Sequence, residues 1–244
     1  MKTVHYLALL GFLLFACDEK SKISENWQTK KLEKVGSIDG DSVSVILEWP
    51  ELGGTQYSDS INFAIRKKLA SYISFEDSIG TLEEETEKFV QSYYDFKKDF
   101  PESSEEWLVK VEVSKTFDSL GIISLQFAAE SYTGGAHGNY SVDYLNIDKA
   151  RGEVLSNISF ILDEERLVEL SEKAFRAYWE IQPDSSLQDA GFWVSDGFFL
   201  PKSIGFEAKN LILYYNNYEI APYSAGPTVF KIPYSELEGV ISFD

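Results

Sequence analysis

The stretch Tyr132-Thr133-Gly134-Gly135-Ala136-His137-Gly138-Asn139-Tyr140 sets an imidazole among three glycines. The other histidine of the chain, His5, lies in an apolar leader, so His137 is the group best suited to move a proton near neutral pH. A hydrolase centred on His137 would place it beside a serine nucleophile and a carboxylate such as Asp143. No Gly-x-Ser-x-Gly elbow accompanies it. Backbone N–H groups of the glycine loop offer a second chemistry, the cradling of an anion. The spacing, however, is neither a P-loop nor a dinucleotide fingerprint. The third reading is structural. Gly134 and Gly135 supply left-handed backbone for a strand connection, Gly138 permits close approach, and His137 pins the turn through a carbonyl.

A second candidate surface is the tyrosine-rich segment holding Tyr214, Tyr215, Tyr218 and Tyr223. Tyrosine combines a stacking face with a hydroxyl, which suits glycan or protein contacts. Strand alternation buries half of such a run, and Tyr218 and Tyr223, beside Pro222, are expected to be the exposed pair. The candidate binding residues are therefore Tyr132, Gly134, Gly135, His137, Tyr218 and Tyr223, with no catalytic residue assigned. Cys17, the single cysteine, excludes an intrachain disulfide and a multi-thiolate metal site. No EF-hand loop is present, and no metal or cofactor is expected.

Residues 1–16 read as a signal peptide: Lys2, an apolar run from Tyr6 to Phe15, then Ala16. The run is shorter than the about 20 apolar residues that a spanning helix needs. Leu14-Phe15-Ala16-Cys17 resembles a bacterial lipobox, with lipidation expected on Cys17 and the membrane as a partner through that anchor. Residues 17–36 are polar and read as a tether. The expected location is the cell envelope, on the periplasmic side or the surface. A net charge of −18 disfavours nucleic acid and favours cationic partners. With 44% hydrophobic residues the chain is a folded one.

The elements that must carry these residues follow from periodicity. Val43, Val45 and Leu47 alternate as a strand after the turn signal Asp39-Gly40. Ile61, Ile65, Leu69 and Ile73 form one helical stripe. Thr81 and Glu84 have capping-box spacing before a helix with Leu82, Phe89, Tyr93, Phe96 and Phe100 on one face. Alternating strands follow through Trp107–Val113, Ile123–Ala129 and Tyr140–Tyr144, which predicts an antiparallel meander. Asp163 caps a helix bearing Leu167, Leu170, Ala174, Phe175 and Tyr178, and "DGFFL", "SIGFEAKN", "LILYYNNYEI" and "TVFKIPY" read as strands. The fold class is α+β. Residues 37–150 form two helices on an antiparallel sheet, and 151–244 a smaller helix-plus-strands subdomain.

Two motifs carry a family resemblance. "SYTGGAHGNYSVDYLNIDKARGEVL" looks like the glycine–histidine signature of a domain named after the peptidoglycan deacetylase PdaC. "LILYYNNYEIAPYSAGPTVFKIPYSEL" resembles the end of the unknown-function domain that follows it, also found in the lysozyme-sensing anti-sigma factor RsiV. The resemblance runs from Ser42 onward. It implies a non-catalytic binding or sensing ectodomain, with a lysozyme-like cationic protein or cell-wall glycan as partner. A metal-dependent deacetylase domain is not expected, because its ion takes two histidines and an aspartate and only His137 follows the leader. The chain opens on its signal sequence, so no cytoplasmic sigma-binding helices are expected.

Overall fold

The computed structural model describes residues 26–119, 121–156 and 159–242. The leader and Cys17 lie outside them. Among the described residues, two sheets with three α-helices confirm the α+β class.

The first sheet opens with a long hairpin, β1 (Asn26–Ile38) and β2 (Asp41–Gly53). Its two-residue connection, Asp39 at φ 53° and Gly40 at φ 96°, has the doubly left-handed backbone that matches strand twist. The chain then crosses the sheet through α1 (Ser58–Ser71) and α2 (Leu82–Asp99) and re-enters as β3 (Trp107–Ser119). β4 (Ile122–Tyr132), β5 (Asn139–Asp148) and β6 (Glu153–Leu155) complete the order β1-β2-β3-β4-β5-β6. Both helices pack on one face, over Val43, Val45, Leu47, Val109, Val111, Leu125 and Phe127. Thr81 and Glu84 form the reciprocal capping box at the start of α2.

The second unit places α3 (Glu164–Tyr178), capped by the Asp163 side chain, on β7 (Ser203–Phe206), β8 (Asn210–Tyr215) and β9 (Thr228–Pro233). Phe175 of α3 meets Tyr215 and Phe230 edge-on in its core.

Several expectations are corrected. Residues 26–36, read as part of a tether, belong to β1. This edge strand buries little of its surface, and its lysines hide the alternation by pairing with acids, Lys31 with Glu48 at 2.7 Å and Lys34 with Glu87 at 2.6 Å. The sheet is mixed, because β2 and β3 pair in parallel once the two-helix crossover has carried the chain back to the same end. Residues 153–155, placed in the second subdomain, pair with β5 in the first sheet. "DGFFL" is not a strand; Phe198, Phe199 and Leu200 pack on the second core as irregular chain, tied by Tyr215 Oη donating to Phe199 O at 2.5 Å. Phe100, the residue that caps the end of α2, and Tyr178, the last residue of α3, are exposed where the helices end. In α2 the buried position near that end is taken by Lys97, paired with Asp41 at 2.6 Å.

The two units join through the other face of β4 and β5. Ser124 and Asn146, both buried, are joined within the first sheet, Ser124 Oγ donating to Asn146 Oδ1 at 2.7 Å, and bond across the seam, Asn146 Nδ2 to Ile204 O at 2.8 Å and Phe206 N to Ser124 Oγ at 3.2 Å. Asn216 doubles the lock. Its Oδ1 accepts from Val142 N at 2.8 Å and its Nδ2 donates to Val142 O at 2.9 Å, mimicking a strand neighbour. Ser203 Oγ also donates to Val142 O, at 2.8 Å. Gly205 lies so close to Tyr144 that a Cβ would sit 2.1 Å from the ring. Gly205→Ala is expected to lose about 1–3 kcal/mol of stability by overpacking. In a urea-unfolding cycle with Tyr144→Ala the two losses should be non-additive; simple additivity would show that the pair is not in contact.

Candidate functional site

The loop between β4 and β5 (residues 133–138) and the loop between β8 and β9 (residues 216–227) meet at one end of this seam. Gly134 at φ 96° and Gly135 at φ 100° take left-handed backbone, and a Cβ on Gly138 would come 3.2 Å from Ser131 O. The connection therefore turns as tightly as the glycine spacing suggests. It presents His137 to the second loop.

His137 stacks on Tyr223 with ring centroids 4.1 Å apart and planes 19° from parallel. Tyr223 in turn lies 5.4 Å from Tyr218. His137 Nδ1 is 2.9 Å from Gly138 O, and Tyr223 Oη donates to the same carbonyl at 3.1 Å. A carbonyl only accepts, so Nδ1 carries the hydrogen and neutral His137 keeps Nε2 as an acceptor. Tyr132 Oη donates to Glu105 Oε2 at 2.6 Å and also lies 3.1 Å from Gly135 O, anchoring the loop's near end. The bond to Glu105 raises the Tyr132 phenol above its usual value, which keeps it a donor.

The second loop is held from below. Glu219 accepts from Lys202 N at 2.6 Å and from Asn216 N at 2.9 Å, and it brackets Tyr218, whose φ of 63° is left-handed. A tyrosine adopts that backbone only under constraint. Tyr218 is 56% exposed, whereas Tyr214 and Tyr215 are buried. Asn217 Nδ2 donates to Tyr140 O at 3.4 Å, and its Oδ1 is shielded from solvent without a hydrogen-bond partner. Beneath the seat, burial pushes the Tyr144 and Tyr214 phenols up to about 12, so both stay neutral. The turn at Pro222–Ala225 also borders a groove of about 530 Å³ lined by Trp179, Ile181, Phe192, Pro222 and Ser224.

All six sequence-selected residues thus fall on these two loops or at their bases. The pairing of His137 with Asp143 does not form. Asp143 faces the helices, where Tyr72 Oη donates to it at 2.6 Å and Lys68 lies at 3.5 Å. Alternation along β5 puts its side chain on the sheet face opposite Val142, which meets the second unit. Among the described residues no group of three or more His, Cys, Asp or Glu is placed to hold a metal ion. Glu105, Asn216 and Glu219 went unread. Asn216-Asn217 before Tyr218 is a turn signal that pointed to the second of these, whereas nothing local marks Glu105.

Residues 37–140 match a family model described as Deacetylase PdaC, and residues 160–235 one described as a protein of unknown function, DUF3298. The chain thus resembles a PdaC-type domain followed by a DUF3298-type domain. The boundary between the two matches falls near β6, and each contributes one of the two loops. A crystal structure of a DUF3298 family member from Bacteroides fragilis is similar over 90% of this chain and 94% of that one, at 20% identity and a TM-score of 0.72. A DUF3298 family protein from Pseudomonas aeruginosa is similar over the same shares, at 19% identity and a TM-score of 0.64. At such identities the likeness is one of fold. No curated protein matches the chain.

His137→Ala removes the stack on Tyr223 and is expected to lower unfolding stability by about 1 kcal/mol, read from urea denaturation. No loss would show that the histidine does not hold the loop.

Proposed function

We propose that this chain is a non-catalytic binding or sensing domain of the cell envelope, lipid-anchored at Cys17, and that the His137–Tyr223–Tyr218 seat takes a saccharide of a cell-wall glycan. The observation that carries this reading is the convergence of the two loops. One comes from each domain, and together they present aromatic faces edged by hydrogen-bonding groups. A sugar ring needs both: an apolar face to stack and acceptors for its hydroxyls. His137 Nε2 supplies an acceptor on an exposed side chain, and Tyr218 supplies an exposed ring held in a backbone geometry that opposes its own stability.

The net charge of −18 favours a second reading, a lysozyme-like cationic protein as the partner. Salt separates a built interface of either kind from bare charge attraction. A stacked saccharide is nearly indifferent to ionic strength, and a bond made of charge alone is screened within about 10 Å at 0.1 M salt.

Titration of the purified chain with soluble peptidoglycan fragments and with lysozyme, at low and high salt, separates these. Saturable fragment binding that survives high salt supports the glycan reading. Binding of lysozyme alone, persisting at high salt, replaces it with the protein reading, and absence of both overturns the binding role. Tyr218→Gly makes the test sharper. It relieves the left-handed strain and should gain about 1 kcal/mol of stability, while weakening fragment binding about tenfold through loss of the ring. Unchanged affinity in that variant would move the ligand away from this seat.

A further inference from the structure

A second candidate surface lies far from this seat in the fold, at the seam between α1 and the β5–β6 turn. Gly152 at φ 68° brings that turn against the start of α1, where a Cβ would meet Ser60 Oγ and Tyr57 Cβ at 2.6 Å. The close approach leaves a groove of about 430 Å³ beside it, lined by Phe63, Lys67, Lys68, Ile79, Leu145 and Val154 among others. Phe63 is 68% exposed and Val154 50%, so apolar surface stands open to water on both walls.

Its charge is out of character for the chain. Acidic residues outnumber basic ones 40 to 22, yet the charged side chains lining this groove are two lysines and no carboxylate. Lys68 shares its charge with Asp143 at 3.5 Å. Lys67 makes no ion pair among the described residues, whereas its neighbour Arg66 is paired with Glu83. An adjoining depression of about 420 Å³ shares Phe63, Lys67 and Ile79, and Glu83 and Glu84 line it. Arg66, held by Glu83, also lines that depression, so among the described residues Lys67 is the lining cation left without an ion pair.

We propose that this groove binds a monomeric, single-chain anionic amphiphile, with its hydrocarbon tail against Phe63, Ile79, Leu145 and Val154 and its carboxylate or phosphate at Lys67. The groove volume is that of a small-molecule site, about 300–1,000 Å³. The ammonium of Lys67 pairs as a point charge with an anion, and its stem extends the apolar wall.

The test is calorimetric titration of the chain with sodium decanoate, with decyltrimethylammonium as the cationic counterpart and phosphatidylglycerol vesicles as the bilayer form of an anionic headgroup. One saturable decanoate site is expected, tightening about fourfold for each added methylene from octanoate to dodecanoate. Lys67→Glu, at an exposed helix position, should weaken it about tenfold, and amide shifts on titration should map to Ala64, Leu145 and Val154. Equal binding of decyltrimethylammonium, indifference to Lys67→Glu, or shifts placed elsewhere would overturn the proposal. Binding to the vesicles without binding to free decanoate would overturn it too, in favour of a membrane-surface contact.

Discussion

The meeting of the two loops depends on how β7 lies against β4 and β5. That contact is polar and buried at once. Ser124 and Asn146 satisfy each other and the backbone of Ile204 and Phe206, and Asn216 satisfies both backbone groups of Val142. Removing one member strands the others without water, at about 1–3 kcal/mol per orphaned group. Such a network tolerates one register and no slippage, which an apolar seam of the same area would not enforce. Gly205 against Tyr144 adds the steric counterpart.

With that seam fixed, two loops that are 85 residues apart in sequence reach each other, Tyr223 donating to Gly138 O. The second loop is rooted in the second core by Ile220 and Ala221, whereas residues 133–138 belong to neither core. Gly134 and Gly135 let the first turn back, Glu105 ties its base through Tyr132, and Glu219 braces the second around a strained Tyr218. Tyr218 thus combines left-handed backbone with an exposed ring, the combination on which the proposed binding role rests.

Much of this was legible in the sequence, and the misses have physical causes. α1, α2 and α3 each bury an apolar stripe, and α2 adds a capping box, so periodicity located them. The glycine loop and the exposed Tyr218 were also readable, because left-handed glycines and turn-adjacent tyrosines have local signatures. β1 was not, since an edge strand paired through lysines and glutamates has the composition of a tether. The parallel β2–β3 pairing is set by a crossover and leaves no trace in either strand's pattern. Ser124, sitting among Ile122, Ile123 and Leu125, looked like the solvent side of a half-buried strand; β4 is in fact covered on both faces. That His137 would face Tyr223 could not be read, because the stack is made by the seam and not by either loop.

The central claim is that the two loops form one binding surface. Amide and aromatic NMR shifts followed during titration with a peptidoglycan fragment test it most directly. The expected result is a single saturation curve shared by residues 133–138 and 216–226, with the His137 and Tyr218 rings moving together. Shifts confined to one loop, or following two different curves, would contradict it.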